Sequence, residues 1–315
     1  MDSPYLHERS DFTDLLRIIE DETGIDAYLV EKDYWLMHVL YGLKLQGYHF
    51  NLKGGTSLSK GYKLIQRFSE DIDIYIQPPS HLGVHERNQS GTHVMKRKSF
   101  YDTLANEINI PGIVSVVRDT EFDDTDYYRS GGIRLHYESV TNKLTNIKEG
   151  ILLEAGFDTV TPFEQLTISS WAYDKAEQAQ VSIIDNRAVA INCYHPGYTF
   201  VEKLQTIATK YRKEQETGKP NPNFLRQYYD LYCLLEYPGV QGFIGTEAYH
   251  MHKQKRFPKT DRDIPVNENE AFLLSDPQIR KVLKDRYLKT SNLYYNGQPA
   301  FETVLERIHK YLDRL

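Results

Sequence analysis

Residues 51–76 read NLKGGTSLSKGYKLIQRFSEDIDIYI, and the reading of this stretch decides the fold. A short apolar run enters Gly54 and Gly55, two hydroxyl residues follow, and Asp71 and Asp73 stand one residue apart near the far end. The pattern predicts a strand over 48–52, a glycine turn, a helix from Thr56 to Ile65 and a second strand over 71–76. Side chains alternate faces along a strand, so Asp71, Asp73 and Tyr75 share one face while Ile72, Ile74 and Ile76 share the other. The isoleucines can bury, which leaves two carboxylates whose Cα atoms lie roughly 6–7 Å apart by strand rise. Like charges at that spacing repel unless a cation sits between them. A hard divalent ion such as Mg²⁺ (or Mn²⁺) satisfies them, since it accepts carboxylate and phosphate oxygens together.

The glycine turn supplies the second half of the chemistry. Gly54 and Gly55 let the backbone approach a ligand closely, because no Cβ intervenes. The helix that follows begins near Thr56 and Ser57, so its first N–H groups and its dipole favour an anion, and the two hydroxyls add donors. Lys53, Lys60 and Arg67 cluster around the turn as candidate phosphate contacts. Such a unit brings an NTP triphosphate to metal ions about 3.5–4 Å apart, the arrangement that in-line nucleotidyl transfer requires. The G-x-x-x-x-G-K-[ST] pattern is absent, which disfavours a P-loop NTPase.

The rest of the chain fits an α+β protein with a mixed sheet and a mainly helical C-terminal half. Helical spacing marks 11–20 and 26–45, the latter with Val30, Tyr34, Met37 and Tyr41 on one stripe and Asp26 as cap. Residues 77–92 look loop-like and lead into a helix ending near Ile108. Strands are expected over 113–119, 127–139 and 150–157, with a short strand or loop region over 189–195. Helices follow over 200–213, 223–236 and 299–315, so the domains are placed at 1–195 and 196–315. The 315 residues are 40% hydrophobic and include 24 Tyr and 13 Phe, the composition of a folded soluble protein. A formal net charge of −6 argues against bulk electrostatic coating of nucleic acid. Cys193 and Cys233 lack metal-ligand spacing and read as reduced thiols. No apolar run approaches the roughly 18 residues of a membrane helix, and MDSPYLHERSDF is too polar for a signal peptide, so a cytoplasmic protein is expected.

The segment GGTSLSKGYKLIQRFSEDIDI resembles the signature of the AbiEii/AbiGii toxin family of the nucleotidyltransferase superfamily, which includes the MenT-related and DUF1814-like proteins. VEKDYWLMHVL (30–40), LLEAGF (152–157), FVEKL (200–204) and LRQYYDLYCLL (225–235) are similar to its further blocks, so the likeness spans roughly 26–315. Gln227 stands where the family pattern has histidine. The resemblance implies a polymerase-β-like core, a toxin encoded beside a cognate antitoxin and linked to abortive infection, and NTP as substrate. It also implies an acceptor such as a tRNA 3′ end, as some members are similar to enzymes that extend tRNA.

A polymerase-β-like site needs a third carboxylate. Glu154, an acid in an apolar strand, is the candidate for catalysis and metal binding beside Asp71 and Asp73, with Glu138 as substitute. Thr199 and Glu202 form a capping box ahead of Lys203, which the resemblance assigns to the triphosphate. Arg226 and Asp230 are spaced as a helical ion pair; Asp230 is alternatively an acid near the acceptor hydroxyl, a general base or an anchor for Lys203. Glu31, Lys32 and Asp33 read as a structural network. His93, Lys96 and Arg97 read as one solvated helical face or as a nucleic-acid patch. Two rival functions stand beside the toxin enzyme: a small-molecule nucleotidyltransferase of the antibiotic-modifying kind, and a non-catalytic nucleotide-binding interaction module.

Overall fold

The computed structural model describes residues 3–145, 147–221 and 224–315. The chain forms two compact units. One takes in the chain up to Tyr62 together with Phe68–Tyr194, and the other Lys63–Arg67 together with His195–Leu315.

The first unit is built on a mixed sheet of seven strands: β1 (Phe50–Lys53), β2 (Asp71–Ile76), β3 (Ile113–Asp119), β4 (Ser130–Tyr137), β5 (Ile151–Gly156), β6 (Phe163–Ile168) and β7 (Ala188–Tyr194). Their order across the sheet is β3-β4-β5-β2-β1-β7-β6. The β2–β5 and β1–β7 pairs run parallel and the remainder antiparallel. Along β2 the exposure alternates residue by residue, with Ile72, Ile74 and Ile76 fully buried. Each such side chain stabilises the fold by about 1.5–3 kcal/mol. β6 is an element the sequence reading lacked; FEQLTI carries three polar residues among six, and its exposure reflects its place at the sheet edge.

Two helices, α1 (Phe12–Thr23) and α2 (Ala27–Leu45), precede the sheet. The expected stripe along α2 is too narrow a description. Sixteen of its nineteen residues are buried, because the helix is packed by α1, by the helix Trp171–Gln178 and by strands β5 and β7. Burial all round forces Glu31, Lys32 and Asp33 inside, where each needs a partner. Glu31 accepts hydrogen bonds from the Ser139 hydroxyl (2.8 Å), the Val140 N–H (2.9 Å) and the Thr141 hydroxyl. Lys32 donates to the Lys148 carbonyl, and Asp33 accepts from Lys60 (2.9 Å) and the Trp171 N–H (2.9 Å).

His7 and His38 are packed against Tyr5, Tyr34 and Trp35. His38 Nε2 lies 2.9 Å from the Pro111 carbonyl and Nδ1 lies 2.8 Å from the Asn186 amide nitrogen. One nitrogen therefore donates and the other accepts, which fixes the neutral ring. Burial pushes both imidazoles down to about 4. A folded-state value below the unfolded one means stability is complete above pH 6.5 and is lost as the pH falls toward 4. His38 alone accounts for about 3 kcal/mol across that window. Urea midpoints between pH 7.5 and 4.5 should show the decline, and His38→Gln should flatten it; an unchanged slope would remove His38 as the cause.

Candidate active site

Two stitches join the glycine turn to the Asp-x-Asp strand. Gly54 has φ +71°, the left-handed region that favours glycine, and a Cβ there would stand 2.2 Å from Asp73 Oδ2. The Thr56 hydroxyl donates to the Asp71 backbone carbonyl at 2.5 Å. The turn thus fixes the position of the residue on either side of Ile72.

The predicted helix over 56–65 starts two residues earlier and ends four residues sooner. Gly54–Thr56 form one helical turn that opens into a π-turn over Ser57–Gly61. Gly61 is held against the Cys193 thiol, 2.9 Å from where a Cβ would be, and Lys63 has φ +56°, so the helix cannot continue. Gly55, Thr56 and Ser57 are buried. The two hydroxyls expected as phosphate donors therefore face inward. Thr56 holds Asp71, and Ser57 lies beside Cys193, partly offsetting the burial that pushes that thiol up to about 12.

Register completes the arrangement. Lys53 pairs across the sheet with Asp73, and Asp73 with Glu154. Residues paired across neighbouring strands share a face, so Lys53, Asp73 and Glu154 form one row, with Asp71 two residues along. All four are partly exposed. Among the described residues, no group of three or more His, Cys, Asp or Glu is gathered tightly enough to hold a metal by itself. The carboxylates line a row instead of closing on a point; carboxylate oxygens are ligands that Mg²⁺ accepts together with water and phosphate oxygens.

The expected phosphate cations divide. Lys53 makes a loose, partly exposed pair with Asp158 at 3.4 Å. Lys60 is bound to the buried Asp33 and lies 4.8 Å above the Trp171 ring. Burial raises the Asp33 carboxyl, and Lys60 works against that rise. Lys32 is pulled down to about 8 by burial, with Glu70 and Asp71 opposing, so Asp71 has a buried cation in its field. Arg97 is fully buried and donates to the carbonyls of His85 (2.6 Å), Asn88 (2.8 Å) and Tyr127 (2.8 Å). It cannot belong to a basic surface patch; it pins the loop after β2.

The second unit holds the other expected residues. Its long helix begins at Pro196, three residues before the expected capping box, with proline in the first turn and His195 Nδ1 accepting from the Gly197 N–H at 3.1 Å. Thr199 is consequently an interior helix residue, and Glu202 lies near Arg256 (3.6 Å) and His252 (3.7 Å). Asp230 is fully buried, takes Arg67 through Nε and Nη2 at 2.7 Å each, and takes Lys203 Nζ at 2.5 Å. Burial raises the Asp230 carboxyl, but Arg67 and Lys203 outweigh it and hold it below its ordinary value. Gln227 supplies its amide oxygen to Lys203 at 2.9 Å, which gives this departure from the family pattern a role. Arg67, assigned from the sequence to phosphate, is nearly buried in this cluster; no spacing in the sequence announced its pairing with a residue 163 positions away.

A carboxylate row beside a glycine turn, carried on a mixed sheet, suits metal-assisted phosphoryl or nucleotidyl transfer. The family model described as nucleotidyl transferase AbiEii toxin, Type IV TA system, matches residues 38–307, and the chain belongs to that family. It is a nucleotidyltransferase toxin of a toxin–antitoxin system. No curated protein gives a significant match. Among the described residues, no helix is long and apolar enough to cross a membrane.

Proposed function

We propose that the chain transfers a nucleotide from an NTP to the 3′ hydroxyl of a tRNA in the cytoplasm, on a polymerase-β-like core and with Mg²⁺ (or Mn²⁺). The observation that carries the reading is the seating of Asp73 against Gly54 with Glu154 in register beside it. That contact requires a glycine at this position to place one carboxylate, which a solvated strand edge does not need. Asp71, Asp73 and Glu154 are the metal-binding and catalytic residues. The divalent ion, when bound there, neutralises charge on the phosphates and orients them for in-line displacement.

Backbone N–H groups at Gly54 and Gly55 are the donors assigned to the phosphates, since the Thr56 and Ser57 hydroxyls are turned inward. Lys53 adds a partly exposed cation in the same row. Lys203 is retained as a phosphate-assisting cation on the family resemblance, with Asp230 and Gln227 holding its ammonium. Asp230, ionised and flanked by two cations, is a poor base, so its part is to anchor. Family membership also supports a cognate antitoxin as partner.

Incubating the protein with each α-³²P NTP, Mg²⁺ and purified total tRNA tests the proposal, with Asp73→Ala as control. Labelled tRNA that the variant fails to produce is the expected result. Unlabelled tRNA in the presence of bound NTP would overturn the acceptor.

A further inference from the structure

The row next to the carboxylates is built from amides. Tyr75 pairs across the sheet with Asn51, Asn51 with Asn192, and Asn192 with Gln165. Asn51 and Tyr75 lie two residues along their strands from Lys53 and Asp73, on the same face and roughly 6–7 Å away. These side chains line a cavity of about 360 Å³, with His49 and Phe163 at its border.

The amides form a directed relay. Gln165 Nε2 donates to Asn192 Oδ1 (3.2 Å), Asn192 Nδ2 to Asn51 Oδ1 (2.9 Å), and Asn51 Nδ2 to the Val160 carbonyl (3.2 Å). Because a backbone carbonyl can only accept, the end of the chain fixes which way every amide faces. Each amide uses one N–H in the relay. A second N–H on each and the terminal Gln165 oxygen stay outside it. The edge therefore presents donors and an acceptor in fixed order, the pattern with which Asn and Gln read base edges. Phe163 is 40% exposed beside it, and the Tyr75 hydroxyl is tethered to Glu86 at 2.8 Å. Aromatic faces so placed stack on a heterocycle.

We propose that this cavity is the nucleobase subsite for the donor NTP, with the Asn51–Asn192–Gln165 relay reading the base edge and Phe163 stacking on its face. The inference rests on the nucleotidyl-transfer reading, which places the triphosphate over the neighbouring row. The relay sets which base is preferred; the carboxylate row handles phosphates common to all four.

Calorimetric titration with each of the four NTPs and with inorganic tripolyphosphate, in Mg²⁺, tests it on the wild type, Gln165→Ala and Phe163→Ala. Both positions are exposed, so the fold tolerates the changes. Phe163→Ala is expected to weaken the preferred NTP about tenfold. Gln165→Ala is expected to shrink discrimination among the four by about three- to tenfold. Tripolyphosphate should bind all three proteins equally. Unaltered NTP affinities and discrimination in both variants would overturn the subsite and leave nucleotidyl transfer standing. A wild-type protein that binds neither NTP nor tripolyphosphate would overturn both.

Discussion

Asp73→Ala is expected to lose nucleotide transfer by roughly a thousandfold or more. Metal-assisted stabilisation of phosphoryl charge supplies several kcal/mol, and each 1.4 kcal/mol is about tenfold in rate. Asp73 is the centre of the row, flanked by Lys53 and Glu154, so removing it breaks the donor set in its middle. Stability should change little, because the side chain is partly exposed and its neighbours on the strand, Ile72 and Ile74, keep the core. Gly54→Ala is the companion test. It leaves every carboxylate in the sequence but drives a methyl to 2.2 Å from Asp73 Oδ2 and adds about 1–2 kcal/mol of backbone strain. Its transfer should fall as well, with NTP affinity less affected than turnover. Full turnover by Asp73→Ala would sink the assignment of this row as catalytic.

Asp230→Asn is expected to cost about 3–5 kcal/mol of folding free energy, because it leaves two buried cations facing an uncharged amide. Arg67 and Lys203 are each under 7% exposed, so water cannot replace the lost charge cheaply. Urea denaturation of the two proteins measures the difference. The carboxyl is held below its ordinary value, so the stability it contributes is present above about pH 4 and is lost as the pH falls through the lowered value. The gap between wild type and variant should therefore be constant from pH 5 to 8. A gap under about 1 kcal/mol would mean the cluster is solvated and the reading of Asp230 as an anchor is wrong.

The sheet centre was legible because its signals are local. Alternation in DIDIYI gives its faces directly, and Gly-Gly before hydroxyl residues gives a turn; ILLEAG does not alternate, being buried on both faces except at Glu154. Gly54 reads from the sequence as room for a ligand; that its missing Cβ makes room for Asp73 is seen only in the structure. What the sequence withheld depends on long-range packing. A helix buried on all sides looks amphipathic when only its most regular stripe is read, as at Val30, Tyr34 and Met37. Arg67 reads as a phosphate contact by its nearness to the turn, yet its partner is Asp230. Arg97 reads as surface charge by its neighbours Lys96 and Lys98, yet three carbonyls enclose it. The amide relay was missed because Asn51, Asn192 and Gln165 come from three strands, and only the register brings them into line.

Lys63–Arg67 groups with His195–Leu315, although the sequence reading kept it with the first half. Its attachments are specific: the Gln66 N–H donates to the Tyr229 hydroxyl at 3.1 Å, the Tyr295 hydroxyl to the Ile65 carbonyl at 3.2 Å, and Arg67 bridges to Tyr294 through the backbone. The polypeptide consequently passes from one unit to the other three times, after Tyr62, Arg67 and Tyr194. A protein joined by a single linker can be dissected with one cut. Here a fragment ending at Tyr194 would carry Arg67 away from its carboxylate, and a fragment starting at His195 would lack the strand of chain that Tyr229 and Tyr294 hold. Chimeras that exchange the helical part among relatives must carry residues 63–67 with it, a five-residue segment that the chain inserts in sequence between the glycine turn and β2.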